Sequence, residues 1–117
     1  MTAMTASRTA AIASAAAWFD AGALQADIAR RVAFATESQN AARADTLLAY
    51  LTDEIGPSVE RLGFQWQLWP NPTAGAPSML FAQRYEDASL PTLLIYGHGD
   101  VVAGYDAQWS EGRSPCP

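Results

Sequence analysis

The residues best suited to chemistry stand in one short run, Gly97-His98-Gly99-Asp100-Val101-Val102. His98 is the single histidine of the chain. A neutral imidazole binds zinc through one ring nitrogen and usually gives its other N–H to a carboxylate, which fixes the tautomer and raises ligand basicity. Two residues along an extended backbone put both side chains on the same side, so Asp100 is expected within reach of the His98 ring. Asp100 would then orient the ligand and not bind the metal itself. Gly97 and Gly99 remove bulk on either side, letting the backbone turn sharply and a ligand approach. A His-x-Asp pair on its own is more often a histidine satisfied by local hydrogen bonds in a turn. The weight of the reading therefore falls on where the pair sits.

Its setting is the end of an apolar run. Pro91 precedes Thr92-Leu93-Leu94-Ile95-Tyr96, which shows no alternation of apolar and polar residues. Such a run is expected to be a strand buried on both faces, as in the centre of an α/β sheet. Ligands of open α/β sheets bind beyond the carboxyl ends of the strands, and His98 stands there.

Upstream, the pattern is helical and then alternating. Residues 1–6 are expected to be frayed. Ser7 or Thr9 caps a helix through about Phe19, interrupted by Gly22. Leu24, Ile28 and Val32 mark one face of a second helix, roughly Leu24 to Ala35, with Arg30 and Arg31 beside it in solvent. Ala44, Leu47, Leu48, Leu51, Ile55, Val59 and Leu62 form the clearest amphipathic stripe. Pro57 should kink that helix or restart it, and Gly63 suits a left-handed cap. Phe64, Trp66 and Leu68 then alternate with Gln65, Gln67 and Trp69, as on a strand with one buried face. Residues 70–77, with three prolines and a glycine, form a loop. Met79–Tyr85 is expected as a second strand, paired antiparallel with the first.

Bulk properties limit the partners. The 117 residues suffice for one domain that buries about two thirds of its extended surface. A net charge of −5 excludes nucleic acid, which needs a basic face. The seven basic residues are all arginine, a pattern read as codon bias. No segment approaches the ~20 apolar residues of a membrane span. Ala10–Phe19 faintly resembles a secretory signal core, but it is mostly alanine and soon meets Asp20, so a plain helix is expected. The lone Cys116 has no cysteine partner, and a reducing cytoplasm is the expected compartment. No histidine lies near Cys116 in sequence, so an incidental thiol is expected there in place of a nucleophile or metal ligand.

The segment Leu94-Ile95-Tyr96-Gly97-His98-Gly99-Asp100-Val101-Val102, followed by Trp109 and Pro115-Cys116-Pro117, resembles the zinc aminoacylase and carboxypeptidase family. Acetylornithine deacetylase, succinyl-diaminopimelate desuccinylase and glutamate carboxypeptidase are among its members. Ala29-Arg30-Arg31-Val32-Ala33 with Thr36-Glu37-Ser38 is similar to the family's early segment, and Thr46 to Gly63 to its helix ending in Leu-Gly-Phe. The resemblance covers about Leu24 to Pro117 and is most specific over the last third. Cys116 departs from the family, as does the missing phenylalanine after Pro117.

The resemblance implies that His98 is a metal ligand and Asp100 its orienting carboxylate. It implies an α/β fold, a three-layer α/β/α domain with a mixed sheet whose third strand delivers His98. The cofactor would be zinc, one or two ions, with cobalt or manganese as substitutes. The substrate would be a small N-acyl amino acid or short peptide, and the parent enzyme a homodimer. The family's bridging aspartate, Glu-Glu pair, further acidic ligand and last histidine are not found in this chain. Residues 1–117 are therefore expected to be the N-terminal part of the catalytic domain, without its lid, inactive alone and inclined to self-associate.

Two other readings compete. A His-Gly after a strand can form part of an α/β-hydrolase oxyanion hole, but those loops place glycines after the histidine, where Asp100-Val101-Val102 stands. The other is a non-catalytic scaffold, which fits a chain with one ligand and one orienting acid.

Overall fold

The computed structural model describes residues 7–111. The expectations for residues 1–6 and for Pro115-Cys116-Pro117, including the thiol of Cys116, lie outside the described residues. Contacts divide the chain into two units, Met1–Ala33 and Phe34–Pro117.

The first unit is a helical hairpin. Helix α1 spans Arg8–Asp20, and Ser7 caps it by accepting from the Ala10 amide at 3.1 Å. Its alanine content favours helix intrinsically. Its large side chains do not gather on one face, and Ile12, Trp18 and Phe19 are exposed. Gly22, with φ of +73°, turns the chain into α2, Ala23–Val32. Leu24 is half-buried, while Ile28 and Val32 of the same stripe remain exposed. Arg30 and Arg31 do more than meet solvent, since both pair with Asp27, the latter at 3.0 Å. Their place in the last turn also suits the negative end of the helix dipole.

The second unit carries the candidate site. Asn40 accepts from the Ala42 amide at 3.1 Å and so opens a 3₁₀ turn, Ala41–Arg43. The chain then runs without a break through α3 (Ala44–Ala49), a π-helical turn (Tyr50–Ile55) and α4 (Gly56–Glu60). The kink expected at Pro57 takes the form of this π turn. Proline has no N–H to give and its ring would press on the carbonyl four residues back, that of Asp53; a widened turn just before it relieves both problems. At the other end Gly63, with φ of +84°, donates to the Glu60 carbonyl at 2.8 Å and Phe64 to that of Val59 at 3.1 Å. Those two bonds are the left-handed closure expected of Gly63.

Strands β1 (Gln65–Trp69) and β2 (Met79–Gln83) pair antiparallel, with Gln67 opposite Phe81. Trp66 and Leu68 of β1 and Leu80 and Ala82 of β2 share the more buried face. In the loop between them Asn71 accepts from the Thr73 amide at 2.9 Å and donates to the Pro77 carbonyl at 3.2 Å. Helix α4 packs on β1 at Gly56, where a Cβ would stand 2.4 Å from Trp66 Cζ2. Among the described residues Leu47 is the one buried large apolar side chain, and Thr36 and Glu54 are the buried polar ones.

The third strand is the main departure from expectation. Among the described residues the sheet holds β1 and β2 alone, so it is antiparallel and not mixed. Leu93, Leu94, Ile95 and Tyr96 are 81%, 88%, 78% and 88% exposed and belong to no strand. A strand's hydrogen-bonding groups point sideways, so a segment with no neighbour cannot form a ladder however apolar it is. The architecture is thus mixed, helices with a two-stranded antiparallel sheet.

Candidate functional site

Three stretches meet around the His-x-Asp pair. The first is the segment Phe34–Ser38, the second the start of the π turn at Tyr50, the third Gly99–Val101. Glu37 and Val101 form an isolated parallel bridge, and the Val101 amide donates to the Thr36 carbonyl at 3.0 Å. This bridge anchors the run that the missing strand was expected to hold. Helix α2 ends at Val32, not at the expected Ala35, so the chain has left the helix before Thr36.

Tyr50 lies directly under the run. Its ring meets Phe34 edge-on at 5.4 Å, and a Cβ at position 99 would stand 2.5 Å from Tyr50 Cε1. Gly99 thus permits the close approach of the backbone to the Tyr50 ring. Glu37 accepts from Arg43 Nε at 3.1 Å, tying residue 37 to the 3₁₀ turn.

The geometry of the pair is specific. His98 Nδ1 is 3.0 Å from the Asp100 backbone oxygen and 3.1 Å from Asp100 Oδ1. Both neighbours are acceptors, so Nδ1 carries the proton and the lone pair of neutral His98 is on Nε2. The His98 side chain is 68% exposed and that of Asp100 45%. Asp100 Oδ2 is in turn bonded by the Ser38 hydroxyl at 2.7 Å. That hydrogen bond is the main reason the Asp100 carboxyl is held below its ordinary range; modest desolvation opposes it and His98 adds to it.

Both residues singled out in the sequence, His98 and Asp100, are therefore together. Ser38 joins them, and its contact was not foreseen, although it belongs to the upstream segment that carries part of the family resemblance. Sixty-two positions separate it from Asp100, and nothing local signals the pairing. Among the described residues no group of three or more His, Cys, Asp or Glu side chains converges as a metal site. Beyond the pair in sequence, Val102, Ala103, Gly104, Tyr105, Gln108 and Trp109 line an open groove of about 490 Å³. Trp109 closes one side by donating its indole N–H to the Gly104 carbonyl at 2.6 Å. Among the described residues no helix is long and apolar enough to cross a membrane. No family model matches the chain, and comparison with curated proteins and with solved structures likewise returns no match.

Proposed function

We propose that this chain supplies His98 as a metal ligand, and Asp100 as the carboxylate that orients it, to a zinc-dependent hydrolase of amide bonds in small N-acyl amino acids or short peptides. The observation that carries the reading is the pair of acceptors at Nδ1, which leaves Nε2 of an exposed histidine with its lone pair available. Metal-bound histidines typically have this arrangement, with the second nitrogen donating to a carboxylate or carbonyl. The residues fit a metal centre as one ligand and its support. A catalytic zinc takes three protein ligands and a water, so the other ligands and the general base are proposed to come from outside the described residues. When bound, zinc would polarise the scissile carbonyl and lower the pKa of its water. Cobalt or manganese would serve the same donor. The finer fold belongs to the same proposal: a three-layer α/β/α domain in which Leu93–Tyr96 becomes an interior strand, in a homodimeric parent.

The test has two parts. In a longer polypeptide carrying the remaining ligands, His98→Ala is expected to remove most activity and bound zinc. Asp100→Ala is expected to cost about 10–100-fold. Normal turnover with normal zinc content in the His98→Ala enzyme would refute the assignment. The 117-residue chain alone is expected to bind zinc weakly and hydrolyse nothing. A tight stoichiometric site in calorimetric titration at pH 7 would contradict the ligand count.

A further inference from the structure

We infer that Ser38 is a positioning residue for His98, acting through Asp100: it anchors one carboxylate oxygen so that the other holds the imidazole proton on Nδ1. The functional sense of this inference rests on His98 being a metal ligand through Nε2. The geometry itself does not. Ser38 Oγ donates to Oδ2 at 2.7 Å while His98 Nδ1 donates to Oδ1 at 3.1 Å, so the two oxygens of one carboxylate have separate tasks.

The hydroxyl is not needed to join the two stretches of chain. The Thr36–Val101 backbone bond already does so, and the Glu37 carboxylate is occupied by Arg43. What the hydroxyl adds is directed at the carboxylate alone. The Asp100 side chain is 45% exposed, so without an anchor its carboxylate is free to rotate toward water and its hold on the ring loosens. A histidine in water shares its proton between both nitrogens, and every molecule with the proton on Nε2 has no lone pair there for a metal. Holding the proton on Nδ1 therefore raises the fraction of chains ready to bind.

His98 is the sole histidine, so its ring nitrogens can be read by ¹⁵N–¹H correlation spectra of the full 117-residue chain at a pH where the ring is neutral. The wild type is expected to show the Nδ1–H pattern. Ser38→Ala is expected to move the spectrum part of the way toward the free-histidine mixture, and Asp100→Ala further, with the Asp100 backbone oxygen at 3.0 Å left as the remaining acceptor at Nδ1. Should Ser38→Ala fold poorly, Ser38→Thr and Ser38→Val replace it. They add similar bulk and differ in the hydroxyl, so the tautomer is expected to hold in the first and to shift in the second. A wild-type tautomer retained without the hydroxyl would overturn the inference, and so would a wild type with the proton mainly on Nε2. Zinc added to the wild type tests the ligand reading separately. The Nε2 signal moves if His98 ligates and stays if it does not, and the Ser38 comparison stands in either case.

Discussion

Asp100 accepts from Ser38 and from His98 at once, and the Ser38 hydroxyl is the larger cause of its lowered pKa. A carboxyl whose folded pKa lies below its unfolded one adds stability that is present above the unfolded pKa. That stability is lost as pH falls through the folded pKa. The contacts around Asp100 should therefore persist through neutral pH and fail only in acid. Exposure keeps the effect small. The ¹³C shift of the Asp100 carboxyl is expected to titrate at lower pH in the wild type than in Ser38→Ala, and equal midpoints would count against the bond. Gly99 makes a second residue-level prediction. A methyl group at 99 would lie 2.5 Å from Tyr50 Cε1, and the ring is braced by Phe34. Gly99→Ala should destabilise the chain by about 1–3 kcal/mol, the usual cost of overpacking. A denaturation midpoint at or above that of the wild type would show that Tyr50 yields freely.

Among the elements, the helix from Ala44 to Glu60 sets local preference against packing most clearly. Gly56 lies within it, and replacing a helical glycine by alanine should gain about 1 kcal/mol from propensity alone. The new Cβ, however, would stand 2.4 Å from Cζ2 and 2.5 Å from Cε2 of Trp66. These are atoms of a stiff, half-buried ring on β1, not the tip of a flexible chain, so either the ring or α4 must move. Overpacking costs about 1–3 kcal/mol, which meets or exceeds the propensity gain. Gly56→Ala is expected to lower the urea midpoint and shift Trp66 fluorescence. A stabilised protein with unchanged fluorescence would mean that α4 can slide on the sheet. The closing glycine of this helix and the alternation of β1 were legible in the sequence because each is a short-range pattern, whereas the stripe holds only in part: Leu47 is buried, but Leu48 and Leu62 are exposed. The π turn was not, since Pro57 announces a disturbance without saying which local geometry absorbs it.

For the molecule as a whole, the decisive feature is the exposure of Leu93, Leu94, Ile95 and Tyr96. A large apolar side chain contributes roughly 1.5–3 kcal/mol when fully buried, and a domain's entire stability is only about 5–15 kcal/mol. Four such residues left in water forgo a large part of that margin. The exposed apolar run, which belongs to no strand among the described residues, is also a template for pairing with another chain. The isolated chain is expected to be marginally stable and to self-associate with rising concentration. Sedimentation velocity with chemical denaturation is the check. A monodisperse monomer with a cooperative transition of ordinary midpoint would show that the core is sufficient without this segment.

What the sequence determined alone are the features whose hydrogen bonds close within a few residues. These are the Ser7 cap, the hinge at Gly22, the closure at Gly63 and the reach of His98 to Asp100 two positions on. Each is written locally because both partners are close neighbours in the chain. Only the tertiary structure decided the rest. It brought Ser38 to Asp100 and Thr36 to Val101 across more than sixty residues, set Tyr50 against Gly99, and left Leu93–Tyr96 without a strand partner among the described residues. A strand differs from a helix in that its backbone bonds must be met by another segment. An apolar run can therefore state a preference for a sheet, while its neighbours determine whether one forms.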